Sequence, residues 1–219
     1  MSIKVYAISG SPSAWRVLLA LTFKQLEYDV QYLNLSEQEH KSEAYLELNP
    51  RGTVPSLVSN GVTLRDSIAI LAWLDRAYPD KPLFGHTPEQ AAHIWQVTME
   101  ASEHLRNASK GLLLPIFFQG ADKKTDELAQ VATTQRSEMQ KLGALLVRHY
   151  FIGGDYPSAA DAVCFPEARM LKRALDTRAE LMEALGYQLD LSDFPDIAAW
   201  IGRIEAFEGV NKTLPPHWS

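Results

Sequence analysis

Three short stretches of the chain place polar groups where they can act on a ligand. The first is Ser9-Gly10-Ser11-Pro12-Ser13. It lies between a strand-like apolar run and an apolar helical run that begins at Ala14. Two hydroxyls and a proline at the mouth of a helix exceed what a single cap requires. The backbone N–H groups and positive end of such a helix face whatever binds there. The Ser11 hydroxyl can donate to a thiolate. Holding the charged form lowers a thiol pKa from about 8.5. Two units of lowering need roughly 2.7 kcal/mol, within reach of one charge-assisted hydrogen bond and a helix end. The plainer alternative is that Ser11 or Ser13 simply caps the helix. A G-x-S-x-G elbow is absent, so a hydrolase nucleophile is not expected.

The second stretch is Asn49-Pro50-Arg51-Gly52-Thr53-Val54-Pro55. A Val-Pro pair before a strand is a candidate for a cis peptide bond. That bond turns the Val54 N–H and C=O outward, where an extended peptide can pair with them. A plain strand start remains the alternative. The third is Asp66-Ser67, directly after a strand and opening a helix. Ser67 can hold a carboxylate at the positive helix end and Asp66 an ammonium; helix capping alone explains the pair equally. Together the stretches suit a thiol, a peptide backbone and an amino-acid head group. Glutathione carries all three.

The elements that must position these groups follow from periodicity and turn chemistry. Strands are expected at Lys4–Ser9 and Tyr28–Leu35. A helix over Ala14–Leu26 carries Leu19, Phe23 and Leu26 on one stripe, and a short helix spans Ser42–Leu48. Asn60-Gly61 between apolar runs signals a hairpin. Asp66 caps a helix containing Leu71 and Leu74. The order is βαβαββα. A proline-rich connection follows, and then only helices: from Pro88 with Ile94, Val97, Ala101, Leu105 and Ala108 on one stripe, over about 122–150, from Ser158, and from Phe194. Gly111–Gly120 reads as an apolar break between the first two of these. An α/β block before an all-α block predicts two packed domains, residues 1–80 and 88–219.

Composition narrows the function classes. The 219 residues carry a formal net charge of −6 and no basic run, which argues against nucleic acid. No apolar run approaches the roughly 20 residues of a membrane span, and the N-terminus reads as a strand, not a leader. The lone Cys164 leaves no intrachain disulfide and no CxxC pair; within an apolar tract it reads as a packed thiol. A soluble cytoplasmic protein without a metal is expected. His93 and His104 lie too far apart along one helix to form a ligand pair.

Four motifs in order resemble the cytosolic glutathione transferases over essentially the full length. SPSAWRVLLAL resembles the helix start of their serine-type classes (tau, theta and zeta). NPRGTVPSL is similar to their cis-proline segment, LRDSIAILAWL to their E-S-x-A-I helix, and YPSAADAVCFP to a capped helix start in their second domain. The resemblance implies a thioredoxin-like α/β domain followed by a helical domain. It implies glutathione as co-substrate, a hydrophobic electrophilic small molecule as second substrate, and a homodimer. Ser11 then binds the glutathione sulfur. Val54 pairs with the cysteinyl part, and Asp66 and Ser67 hold the γ-glutamyl group. His40 and Thr53 stand at the glycyl end, Thr53 where many relatives carry Lys or Gln. Ser13, Phe117 and Phe118 are candidates for the second-substrate pocket, with core packing the alternative for the two phenylalanines. Ser13 occupies the cysteine position of the zeta motif and Leu18 replaces its second Arg, which points away from maleylacetoacetate isomerase activity. A non-catalytic interaction protein, or a glutathione-dependent peroxidase or isomerase, remains the alternative.

Overall fold

Strand β1, Ile3–Ala7, alternates in burial: Ile3, Val5 and Ala7 are sealed, and Lys4 and Tyr6 are not. That is the pattern of a strand with one face on a core. It lies in a four-stranded sheet of order β2-β1-β3-β4 in the computed structural model, which describes residues 2–218. Strand β2 is Asp29–Tyr32, β3 is Ser56–Ser59 and β4 is Val62–Arg65. β1 and β2 are parallel; β3 runs antiparallel to β1 and to β4. The hairpin turn falls on Asn60 and Gly61, with φ of 50° and 80°. Two positive φ values in succession are what a two-residue I′ turn requires. Helices α1 (Pro12–Phe23), α2 (Glu43–Leu48) and α3 (Ser67–Ala77) complete the βαβαββα order read from the sequence.

The chain divides into two units, Met1–His86 with Ala206–Ser219, and Thr87–Glu205. The C-terminal segment thus belongs with the sheet, although the sequence suggested a helical domain running through residue 219. Its packing explains α1. Every residue from Ala14 to Phe23 is buried, more than one stripe against a sheet demands. Phe207 meets Phe23 edge-on at 5.5 Å. The Trp15 indole donates to Thr213 Oγ1 at 2.8 Å. Trp218 stands edge-on to Trp15 at 5.3 Å. Leu26 lies beyond the end of α1 and is only half-buried.

The second unit is helical. Thr87 caps α4 (Pro88–Glu100), with Pro88 in its first turn. A π-helical turn, Ala101–Leu105, leads without a break into α5, Arg106–Phe118. The expected stripe Ile94, Val97, Ala101, Leu105, Ala108 is buried throughout. Residues 111–118 are helical, so the apolar break expected there is instead the last two turns of α5. Helix α6 is Asp126–Leu146, α7 Ala159–Thr177, α8 Ala179–Ala184 and α9 Pro195–Glu205. Ser158 and Asp161 form a reciprocal capping box at the start of α7. Cys164 is buried in α7 and forms no disulfide. Among the described residues no helix is long and apolar enough to cross a membrane.

Candidate functional site

The register of the sheet decides which loops meet. Tyr6 pairs with Ser56, and Ser56 with Arg65. The exit of β1, the entry of β3 and the exit of β4 therefore lie side by side at one end of the sheet. Ser11, Val54 and Asp66-Ser67 follow or precede those strand ends by a few residues.

At the first loop, the Ser11 N–H donates to the Ile8 carbonyl at 3.0 Å, which closes the turn. Ser11 is the N-cap of α1, with Pro12 at the first helical position. Its Oγ accepts from the Ala14 N–H at 3.4 Å, a long bond. No described residue receives the hydroxyl proton, so a half-buried Ser11 caps and still has a donor to offer. Ser13 is half-buried and does not cap.

At the second loop the Val54-Pro55 bond is cis. Bonds around Val54 hold the segment without using it. Asn49 Nδ2 and the Tyr45 hydroxyl both donate to the Thr53 carbonyl at 2.7 Å. Lys41 Nζ donates to the Gly52 carbonyl at 2.9 Å. Burial pushes the Tyr45 hydroxyl above its ordinary pKa, so it stays a donor. The Val54 N–H and C=O form no hydrogen bond with any described residue. The Thr53 side chain is exposed, its Oγ1 accepting from Asn49 at 3.3 Å.

His40 sits in a single 3₁₀ turn, Glu39–Lys41. Lys41 ties that turn to the second loop, and the approach is close: a Cβ at Gly52 would lie 2.8 Å from the His40 carbonyl. Gly52 also has φ of +55°, so only glycine serves there without strain. The His40 Nδ1 is buried and has no partner among the described residues.

At the third loop, Asp66 Oδ1 accepts from the Ile68 and Ala69 N–H groups at 2.9 and 3.2 Å. Asp66 holds φ of 74°, an uncommon value for a residue with a Cβ. Ser67 is buried at the first position of α3, and neither its N–H nor its hydroxyl has a partner among the described residues. Two unused donors at a positive helix end suit a carboxylate.

Phe117 and Phe118 lie on the last turn of α5, in the helical unit; Phe117 is half-buried and Phe118 is 65% exposed. The C-terminal tail also reaches this end of the sheet, which no local sequence signal showed. His217 Nδ1 lies 2.7 Å from Ser9 Oγ, beside the first loop. The two are 208 positions apart, so no local pattern could join them.

Residues 10–77 match the family "Glutathione S-transferase, N-terminal domain". A protein named Glutathione S-transferase 1 from Dianthus caryophyllus is 26% identical over 197 residues, 88% of this chain and 82% of that protein. Maleylacetoacetate isomerase from Dictyostelium discoideum is 28% identical over 200 residues, 88% of this chain and 84% of that protein. The crystal structure of a glutathione S-transferase from the Antarctic clam Laternula elliptica superposes with a TM-score of 0.81 at 29% identity, covering 100% of this chain and 94% of that one.

Proposed function

Because the chain belongs to the glutathione S-transferase family, we propose that it binds glutathione as a thiolate at Ser11 and transfers it to a hydrophobic electrophile. One observation carries this reading: the register that aligns three strand ends also aligns unused groups of the three required kinds. The Ser11 hydroxyl donates to the sulfur. The Val54 N–H and C=O pair with the cysteinyl backbone as one added rung of sheet. The Ser67 N–H and hydroxyl take the γ-glutamyl carboxylate, and Asp66 turns its second oxygen to the ammonium. His40 and Thr53 serve the glycyl end. Rate comes from a larger thiolate fraction at neutral pH and from holding the nucleophile in place. Ser11 acts as a donor throughout, never as a base. A cytoplasmic homodimer is part of the same reading.

The test is the thiol titration. In Ser11→Ala the pKa of bound glutathione, followed by thiolate absorbance, rises, and turnover at neutral pH falls while calorimetric affinity changes little. An unchanged titration curve removes Ser11 from the mechanism. Absence of glutathione binding to the native chain removes the whole reading.

A further inference from the structure

His93 and His104 are no ligand pair, but His93 has another imidazole beside it, that of His149. We propose that His93 and His149 form a binding site for a divalent first-row transition ion such as Zn(II) or Cu(II). The site lies wholly within the helical unit and does not depend on the glutathione reading.

Two observations point to a ligand. The ring centres stand 6.2 Å apart, with their planes tilted at 44°. The His93 Nε2 is buried and has no hydrogen-bond partner among the described residues. A stranded buried nitrogen costs free energy, and an ion or a water that satisfies it removes that cost. The spacing suits a shared ion. A nitrogen lies about 1.2 Å from its own ring centre and binds zinc at about 2.0–2.1 Å, so a shared ion sits about 3.2 Å from each centre. The centres are then at most about 6.4 Å apart, and about 5.2 Å apart at a tetrahedral angle. From 6.2 Å a shift of about 1 Å reaches that geometry. His149 is exposed, so its ring can swing to admit the ion and close on it.

The backbones beneath the two rings are held in place. His93 is on α4, and His149 follows the end of α6. The residues after His149 are anchored one after another. Arg203 Nε donates to the Tyr150 carbonyl at 2.8 Å. Phe151 and Gly154 exchange backbone bonds at 2.8 and 3.0 Å. The Ile152 N–H donates to the Asp161 carboxylate at 2.9 Å. This segment also lies close on α4: a Cβ at Gly153 would stand 3.2 Å from the Cδ1 of Ile94, the residue after His93. None of these bonds uses either imidazole.

The donor set selects the ion. Imidazole suits Zn, Cu and Ni, whereas Mg and Ca take oxygen. Among the described residues no group of three His, Cys, Asp or Glu side chains could hold a metal, so water fills the positions the two imidazoles leave. Such an ion is exchangeable, unlike one closed in by four protein ligands. The surrounding charge favours a cation. Glu89 stands one turn before His93 on the same face of α4. Hydrogen bonds from its own N–H and from Thr87 hold its carboxyl below the ordinary range, so it is charged at neutral pH. Helix α4 carries no Lys or Arg to oppose it. Arg148, next to His149 in the chain, is exposed and screened by solvent.

The experiment is calorimetry and thermal melting with Zn(II), in the absence of glutathione, on the native chain, His93→Gln and His149→Gln. The native chain should bind one Zn(II) and melt higher in its presence, since an ion that binds the folded form stabilises it. Each substitution should weaken Zn(II) binding by more than about tenfold, the least that even an outer partner of a metal site is worth, and remove the effect of Zn(II) on the melt. His149 is exposed, so His149→Gln decides the matter if His93→Gln does not fold. Cu(II) should bind more tightly than Ni(II) or Zn(II), with imidazole nitrogen coupling in its EPR spectrum that both variants reduce. Mg(II) should not bind, and His104→Gln should behave as the native chain. A native chain that takes up no Zn(II) at millimolar concentration overturns the proposal and leaves water as the partner of Nε2. Zn(II) binding unchanged in His149→Gln overturns it too, because the ion then sits elsewhere. Neither result touches glutathione transfer.

Discussion

Removing the Ser67 hydroxyl should weaken glutathione binding by about 1–3 kcal/mol, because it deletes a hydrogen bond to a charged carboxylate at a buried position. Calorimetry on Ser67→Ala measures it, and an unchanged affinity excludes Ser67 from the head-group site. Asp66 needs a different substitution. Its Oδ1 already caps α3 through Ile68 and Ala69. Ala at 66 would therefore fray the helix start and displace Ser67, mixing two effects. Asn caps as well as Asp, so Asp66→Asn isolates the charge. Affinity should drop less for Asp66→Asn than for Ser67→Ala, since Asp66 is exposed and Ser67 buried and an exposed ion pair is worth little; the reverse order would show that the carboxylate's contact with the ammonium is the stronger of the two. The Ser11 cap, the cis Val54-Pro55 bond and the Asp66-Ser67 helix start were legible because caps, turns and X-Pro bonds are local chemistry. His217 was not. Nothing within the tail shows that it folds onto a loop at the other end of the chain.

At the scale of elements, local signals located the helices well and one apolar segment misled. Gly111–Gly120 looked like an apolar break, yet α5 runs to Phe118 with Pro115 inside it, where proline costs about 3 kcal/mol. The helix continues because Leu112, Leu113 and Ile116 are all buried. Each such side chain gains about 1.5–3 kcal/mol on leaving water, so together they outweigh the proline. The six-residue α8 gave no periodic signal of its own, being less than two turns long. At the other extreme, the Ser158–Asp161 start of α7 was clear, but its depth was not. The Asp161 carboxylate is fully buried and accepts from the Ile152, Gly153 and Ser158 N–H groups, the Ser158 hydroxyl and the Trp200 indole. Asp161→Ala leaves five buried or half-buried donors without their acceptor. At about 1–3 kcal/mol for a stranded group, the loss should be at least about 3 kcal/mol of unfolding free energy. Denaturant melts check this, and a loss under about 1 kcal/mol would mean that water replaces the carboxylate.

For the whole molecule, the division into two blocks was readable from the change in texture near residue 80, whereas the return of residues 206–219 to the first block was not. The turns that bring the tail back are non-local in their consequences, and packing against α1 joins Phe207, Thr213 and Trp218 to Phe23 and Trp15. Assembly is read at this scale too. On α4, Trp95 and Met99 are 36% and 52% exposed, one turn apart and therefore on one face. Large exposed apolar side chains paired like this are suited to a self-complementary contact, in which one patch serves both subunits of a twofold dimer. Such an interface should bury on the order of 2,000 Å² in total. Sedimentation at micromolar concentration should give a species near twice the 24.5 kDa chain mass. Met99→Glu puts a charge into this apolar pair. It should shift the equilibrium to a folded species of 24.5 kDa without changing the thermal melt extrapolated to low concentration. A native chain that sediments as a monomer would sink the dimer. A dimer untouched by Met99→Glu would keep the assembly and move its interface away from this face of α4.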